Sequence, residues 1–214
     1  MKRVVLGSAN PHKAAEIRPL LTAARIEVVA VGEIDPDWSV EETGETLEEN
    51  AAIKARAAAS RTGWTAVADD TGLFVDALGG APGVHSSRYA GAGASYADNV
   101  RKLLAALEGV APERRTARFR TVAVVATPDG REAALDGVLE GRILEAPVGE
   151  GGFGYDPVFL VPEAGRSLAE LSLEEKNRLS HRALAFAAVG GFLARHREWL
   201  AGGEKSLVLP GASR

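Results

Sequence analysis

The sequence predicts an α/β protein with a long central mixed sheet, flanking helices, and two lobes around a cleft. Three observations carry this prediction. Short apolar strands alternate with helical stretches in the first part of the chain, which is the pattern of helices packed on a largely parallel sheet. A β-hairpin follows later, from Thr116 to Ala126 and from Arg131 to Glu140, joined by the turn sequence Thr127-Pro128-Asp129-Gly130. Two Ser/Thr-x-x-Glu capping boxes, Thr46 with Glu49 and Ser172 with Glu175, mark helix starts.

Taken in order, Val4–Leu6 form a strand bounded by Gly7, and helical composition runs from Pro11 to about Ala24, interrupted at Pro19. A second strand is expected over Glu27–Val31, then an acidic loop through Asp35-Pro36-Asp37 to Gly44. The alanine-rich helix capped by Thr46 should reach about Thr62. Thr65–Ala68 read as a buried strand ending at Asp69-Asp70, with Leu73–Leu78 a separate extended or partly helical segment. Gly79–Gly93 read as a loop, and Val100, Leu103, Leu104 and Leu107 give Ser95–Glu108 a helical period. A second glycine-rich loop spans Gly149–Gly154, and Ser180 should start a final helix to about Leu200. Residues 1–200 then form one two-lobed domain, and 201–214 a flexible tail.

Composition narrows the function classes. With 46% hydrophobic and 25% charged residues, the 214-residue chain is an ordinary globular protein. A net charge of -4 offers no broad cationic field for duplex nucleic acid, although one small polyanion could still be held locally. The absence of cysteine removes disulfides, thiolate metal sites and cysteine nucleophiles. The apolar run before Gly7 is too short for a secretion signal, and no stretch approaches the ~20 residues of a membrane span. A cytoplasmic protein, binding neither nucleic acid nor membrane, is expected.

Five places could carry chemistry. Ser8, Ala9, Asn10, Pro11, His12 and Lys13 lie between a strand and a helix, where backbone N–H groups and the helix dipole suit phosphate oxygens; an ordinary N-cap is the competing reading. Glu41, Glu42, Glu45, Glu48 and Glu49 surround Gly44, and an acid ahead of the helix could reach a metal bound by Asp69 or Asp70. Magnesium is commonly held by one or two carboxylates plus substrate phosphates. Asp69 and Asp70 should face different environments because strand residues alternate sides. The loop Phe153, Gly154, Tyr155 and Asp156 offers an aromatic for stacking and an acceptor for a ring N–H or sugar hydroxyl. Lys176, His181 and Arg182 supply donors for a carbonyl or phosphate.

In this order SANPHK, EETGETLEENAAIKA, ADDTGLFVDALGGAPGVHSSRYAG, GGFGYDPVF and EEKNRLSHRALA resemble the inosine triphosphate pyrophosphatase family, the XTP/dITP diphosphatases. The resemblance covers about Lys2 to Arg195. It implies a homodimer with an active-site cleft, hydrolysing ITP, dITP and XTP to the monophosphate and pyrophosphate with Mg2+. By motif position, Ser8 to Lys13 would hold the triphosphate, Glu41 and Asp70 the metal, and Thr71 the adjoining substrate. Asp70 would be the proton acceptor. Phe153 to Asp156, Lys176, His181 and Arg182 would define the base pocket. Lys54, on the acidic helix, is expected to help neutralise phosphate charge. Two positions depart from the family pattern: Thr71 stands where Ser is more frequent, and His85 where Tyr is common. An aspartyl-nucleophile phosphatase and a non-catalytic nucleotide sensor are the alternative readings; the first would release inorganic phosphate, the second would bind without turnover.

Overall fold

A computed structural model describes residues 2–200 of the chain; the expected flexible tail lies outside the described residues. The chain runs β1 (Lys2–Leu6), α1 (Pro11–Ala23), β2 (Ile26–Ala30), α2 (Val31–Ile34), α3 (Leu47–Thr62), β3 (Ala66–Val75), β4 (Pro82–Gly83) and α4 (Tyr96–Ala106). It continues β5 (Thr116–Ala126), β6 (Glu132–Ile143), β7 (Phe159–Val161), β8 (Arg166–Ser167), α5 (Leu173–Leu179) and α6 (His181–Arg195). The eight strands form one sheet in the order β2-β1-β3-β5-β6-β7-β8, with β4 paired to β3. β1 is parallel to β2 and β3, whereas β3–β4, β6–β7 and β7–β8 are antiparallel, so the sheet is mixed as expected.

The chain divides into two compact units. Among the described residues the first holds 2–70, Val122–Asp136 and 185–200; the second holds Thr71–Thr121 and Gly137–Leu184. Each unit has a core of its own. In the first, Val4, Leu6 and Val67 from the strands meet Ile17 and Leu21 of α1 and Phe186 and Val189 of α6. In the second, Leu73 and Phe119 from the strands meet Leu103 of α4 and Leu107 just past its end, with Phe159 and Leu168.

Helix starts follow the sequence. The Thr46 side chain accepts from the Glu49 N–H while Glu49 reaches back, and Ser172 and Glu175 do the same for α5. Three orphan-donor problems are thereby solved locally, since Ser95 and Asp98 cap α4 in like manner. α3 ends on Gly63 at φ 69°, a left-handed conformation that glycine adopts without a Cβ penalty. Pro19 does not break α1, which runs through it to Ala23.

The main departure from expectation is in β3. The strand does not end at Asp69-Asp70: β3 is a single ten-residue strand that carries both acids, Thr71 and Gly72 in its middle and absorbs the separate segment expected from Leu73. Its first residues pair with β1, Ala66 with Val5 and Val67 with Leu6, and its last with β4. Gly72 is needed for close approach rather than for a turn, because a Cβ there would lie 2.8 Å from the Gly83 carbonyl oxygen. Val31, expected in the second strand, begins α2 instead.

Candidate active site

The first group of site residues lies wholly in the first unit. β1 stops at Leu6 while β3 runs on, so beyond Val67 the neighbour of β3 is no longer β1. This is the carboxyl end of a parallel pair, where α/β sheets place ligands. Asp69 and Asp70 sit there with different partners, as strand alternation requires. Lys13 from α1 meets the Asp69 carboxylate at 3.1 Å and donates to the Asp69 carbonyl at 3.3 Å. Lys54 from α3 meets Asp70 at 3.4 Å and Glu42 at 3.0 Å.

Burial raises the pKa of Asp70 against the opposing pull of Lys54 and Lys13, with Glu42 and Asp69 adding to the rise. At Lys54 burial acts to lower the pKa but is outweighed by Asp70, Asp69 and Glu42, so the ammonium ion is held charged. The asymmetry is physical: one lysine faces several carboxylates, and each carboxylate has only a share of the lysine. Asn50, 1% exposed, ties the group together. Its Nδ2 donates to Asp70 at 3.4 Å and its Oδ1 accepts from the Gly44 N–H at 2.8 Å. A Cβ at Gly44 would fall 2.8 Å from that same Oδ1, so the loop needs glycine there.

The loop ahead of α1 is both a cap and a candidate phosphate site. Asn10 Oδ1 accepts from the N–H groups of His12 and Lys13, and Ser8 Oγ accepts from the Asn10 N–H. Ala9, Pro11 and His12 are exposed, while Lys13 is turned to Asp69. Glu41 is exposed as well, whereas its neighbour Glu42 is engaged by Lys54.

The second group lies wholly in the second unit. Asp156 and Lys176 form a buried ion pair at 2.8 Å, each side chain 6% exposed. The Asp156 carboxylate also accepts from the Phe153 N–H at 2.8 Å, which fixes the glycine-rich loop. Gly152 is at φ 71°, and a Cβ there would strike that carboxylate. Phe153 has the Lys176 ammonium 5.6 Å and the Arg182 guanidinium 5.5 Å from its ring centre. His181 bonds Thr121 at 2.6 Å through Nδ1, Thr121 bonds Thr71 at 2.7 Å, and Arg182 donates to Thr71 at 3.2 Å. Gly154, at φ 65°, keeps the backbone beside Phe153 bare of a side chain. Tyr155 is a core residue whose hydroxyl donates to the Ser86 carbonyl, and burial raises its pKa. His85 is exposed.

Three residues join these groups that the sequence reading passed over. Asn50 and Thr121 read as helix and strand interior, and Tyr96 as the first residue of α4, yet its ring lies 5.9 Å from Phe153. Asn50 alone carried a signal, being a poor helix former in an alanine-rich run.

Among the described residues no group of three or more His, Asp or Glu side chains is arranged to hold a metal, and no helix is long and apolar enough to cross a membrane. A protein from Symbiobacterium thermophilum named dITP/XTP pyrophosphatase is 54% identical over 187 residues, covering 87% of this chain and 92% of that protein. One of the same name from Thermoanaerobacter sp. is 46% identical over 196 residues, covering 92% and 98%. The HAM1 protein of Coxiella burnetii superposes with a TM-score of 0.81 at 43% identity over 91% of this chain and all of that one. The Ham1 protein of Staphylococcus aureus gives 0.80 at 39% identity over the same shares. With residues 4–192 also matched by the model of the Ham1 family, the chain belongs to that family.

Proposed function

We infer that this chain hydrolyses non-standard purine nucleoside triphosphates, ITP, dITP and XTP, to the monophosphate and pyrophosphate. The observation that carries the reading is the mid-strand pair Asp69-Asp70, whose two carboxylates are held by lysines from two different helices. Its relatives named dITP/XTP pyrophosphatase support the substrate class.

The reading gives the base to Phe153, Asp156, Lys176, His181 and Arg182. Lys13 and the loop from Ser8 bind phosphate oxygens; Lys54 offsets charge that grows on the leaving group. A water attacks the α-phosphorus, the bond to the bridging oxygen breaks, and pyrophosphate departs. Asp70 orients that water and takes its proton.

The donor set suits Mg2+, which takes hard oxygen ligands and seldom needs more than two carboxylates when phosphates complete the shell. We assign Asp70 and Glu41 to it, the positions that the family motifs imply. When bound, the ion would supply charge neutralisation on the phosphates. Homodimerisation and a cytoplasmic location are part of the same proposal. The test is a nucleotide panel with Mg2+ and chromatographic identification of products. ITP should give IMP and pyrophosphate; release of inorganic phosphate would favour an aspartyl nucleophile, and binding without turnover a sensor.

A further inference from the structure

We propose that Tyr96 is a positioning residue that holds the Phe153 ring in the plane on which a purine base stacks. The inference rests on the hydrolase reading above, which gives the base to Phe153, and deepens it. Tyr96 opens α4 and heads the apolar stripe that continues through Val100 and Leu103 into the core of the second unit. It is nevertheless 44% exposed, against 7% and 0% for those two. Its ring meets the glycine-rich loop instead, 5.9 Å from the ring of Phe153 and tilted to it by 45°. That is within the span of an attractive aromatic pair.

The two rings stand on backbone of different stiffness. Tyr96 is on a fixed base: the Ser95 N–H donates to the Asp98 carboxylate at 2.9 Å in the capping box, and Asn99, 2% exposed, accepts from the Ala90 N–H at 2.7 Å and donates to the Ser87 carbonyl at 3.1 Å. Phe153 lies between Gly152 at φ 71° and Gly154 at φ 65°, so neither neighbour stiffens the chain with a side chain. Its N–H bond to Asp156 holds the backbone, and a backbone bond does not set side-chain torsions. Lys176 and Arg182 attract the face of the ring through their charge, whereas an aromatic partner also favours a particular tilt. A ring already oriented when the base arrives costs less to order on binding. Tyr96 therefore acts on affinity for the base and leaves the phosphate chemistry unchanged.

The test is a double-mutant cycle on the Kd for IMP, which carries the base and is not hydrolysed, measured calorimetrically for the wild type, Tyr96→Ala, Phe153→Leu and the double variant. Tyr96→Ala should raise Kd about fivefold, the range one aromatic pair carries, and Tyr96→Phe should match the wild type. KM for ITP should rise in parallel with kcat unchanged. In the Phe153→Leu background Tyr96→Ala should change Kd by less than about twofold, because Tyr96 then has no ring to orient. An unchanged Kd in Tyr96→Ala or in Phe153→Leu overturns the inference. So does an effect of Tyr96→Ala that persists in full beside Phe153→Leu, which would make Tyr96 a direct contact of the base, and so does a fall in kcat with KM unchanged. If Tyr96→Ala does not fold, Tyr96→Leu, which keeps apolar bulk without a ring, takes its place in the cycle. The hydrolase reading fails separately, if the wild type releases no pyrophosphate from ITP, whereas the inference is decided by the IMP affinities.

Discussion

The acidic group around Asp70 and the basic group around Arg182 use buried charge in opposite ways. In the first unit three carboxylates, of Glu42, Asp69 and Asp70, face two ammonium groups, of Lys13 and Lys54. In the second group Asp156 pairs with Lys176, and Lys176 and Arg182 both reach the face of Phe153. Acidic side chains thus dominate the first group and basic ones the second. The burial differs in the same sense. The Asp70 side chain retains 14% exposure, and burial weakens its acidity. The Asp156–Lys176 pair is closed off, as suits a scaffold for Phe153.

The largest effect that would break this contrast is at Asp70. Asp70→Asn should lower kcat by about 10³-fold, within the range for loss of a general base, while ITP binding measured calorimetrically survives. Activity near that of the wild type would remove Asp70 from the chemistry. The second largest is structural and belongs to the basic group. Lys176→Met leaves the buried Asp156 carboxylate without its counter-ion and should cost about 3 kcal/mol in urea unfolding. A loss under ~0.5 kcal/mol, the level of an exposed pair, would mean that the pair is solvated and the contrast in burial wrong.

The acidic group was only partly legible in the sequence. Two aspartates after an apolar run read as the end of a strand, because unpaired charges do not continue a buried one. The strand continues because each acid finds a lysine, Asp69 one that lies 56 residues back and Asp70 one 16 back, and such pairing leaves no local mark. The alternation of Asp69 and Asp70 was legible, since it depends only on strand period. Elements with caps were legible to within a residue or two: Thr46, Ser95 and Ser172 all precede the helices they were expected to start. β7 and β8, three and two residues long, are too short to carry a period. In the basic group, Lys176, His181 and Arg182 stood out as donors at a helix start. Thr121 did not, since a threonine in a strand is where threonine is expected.

A smaller effect would sharpen the contrast at Asn50, the neutral residue of the acidic group. Asn50→Ala frees both the Gly44 N–H and Asp70, so kcat should fall about tenfold, with about 1 kcal/mol lost in urea unfolding for the bonds removed. A drop in stability without a drop in kcat would make Asn50 a fastener of the loop rather than an orienter of Asp70.

The smallest effect concerns how the basic group is anchored to solvent-exposed structure. α5 carries Lys176, and its cap residue Glu175 is held to a pKa of about 2, first by the Arg166 side chain and then by Ser172. A carboxylate whose pKa is depressed in the folded state stabilises that state at all pH values above its unfolded pKa, near 4.5, and the stabilisation fades as pH falls from there towards 2. Glu175→Gln should therefore be less stable than the wild type at neutral pH and approach it between those two values. Because the side chain is exposed, the difference is expected to shrink in high salt as well, which the buried Asp156–Lys176 pair should not show. Parallel urea curves for the two proteins from pH 7 to pH 3 would measure it; a gap that stays constant as the pH falls would mean that Glu175 acts by packing and not by charge.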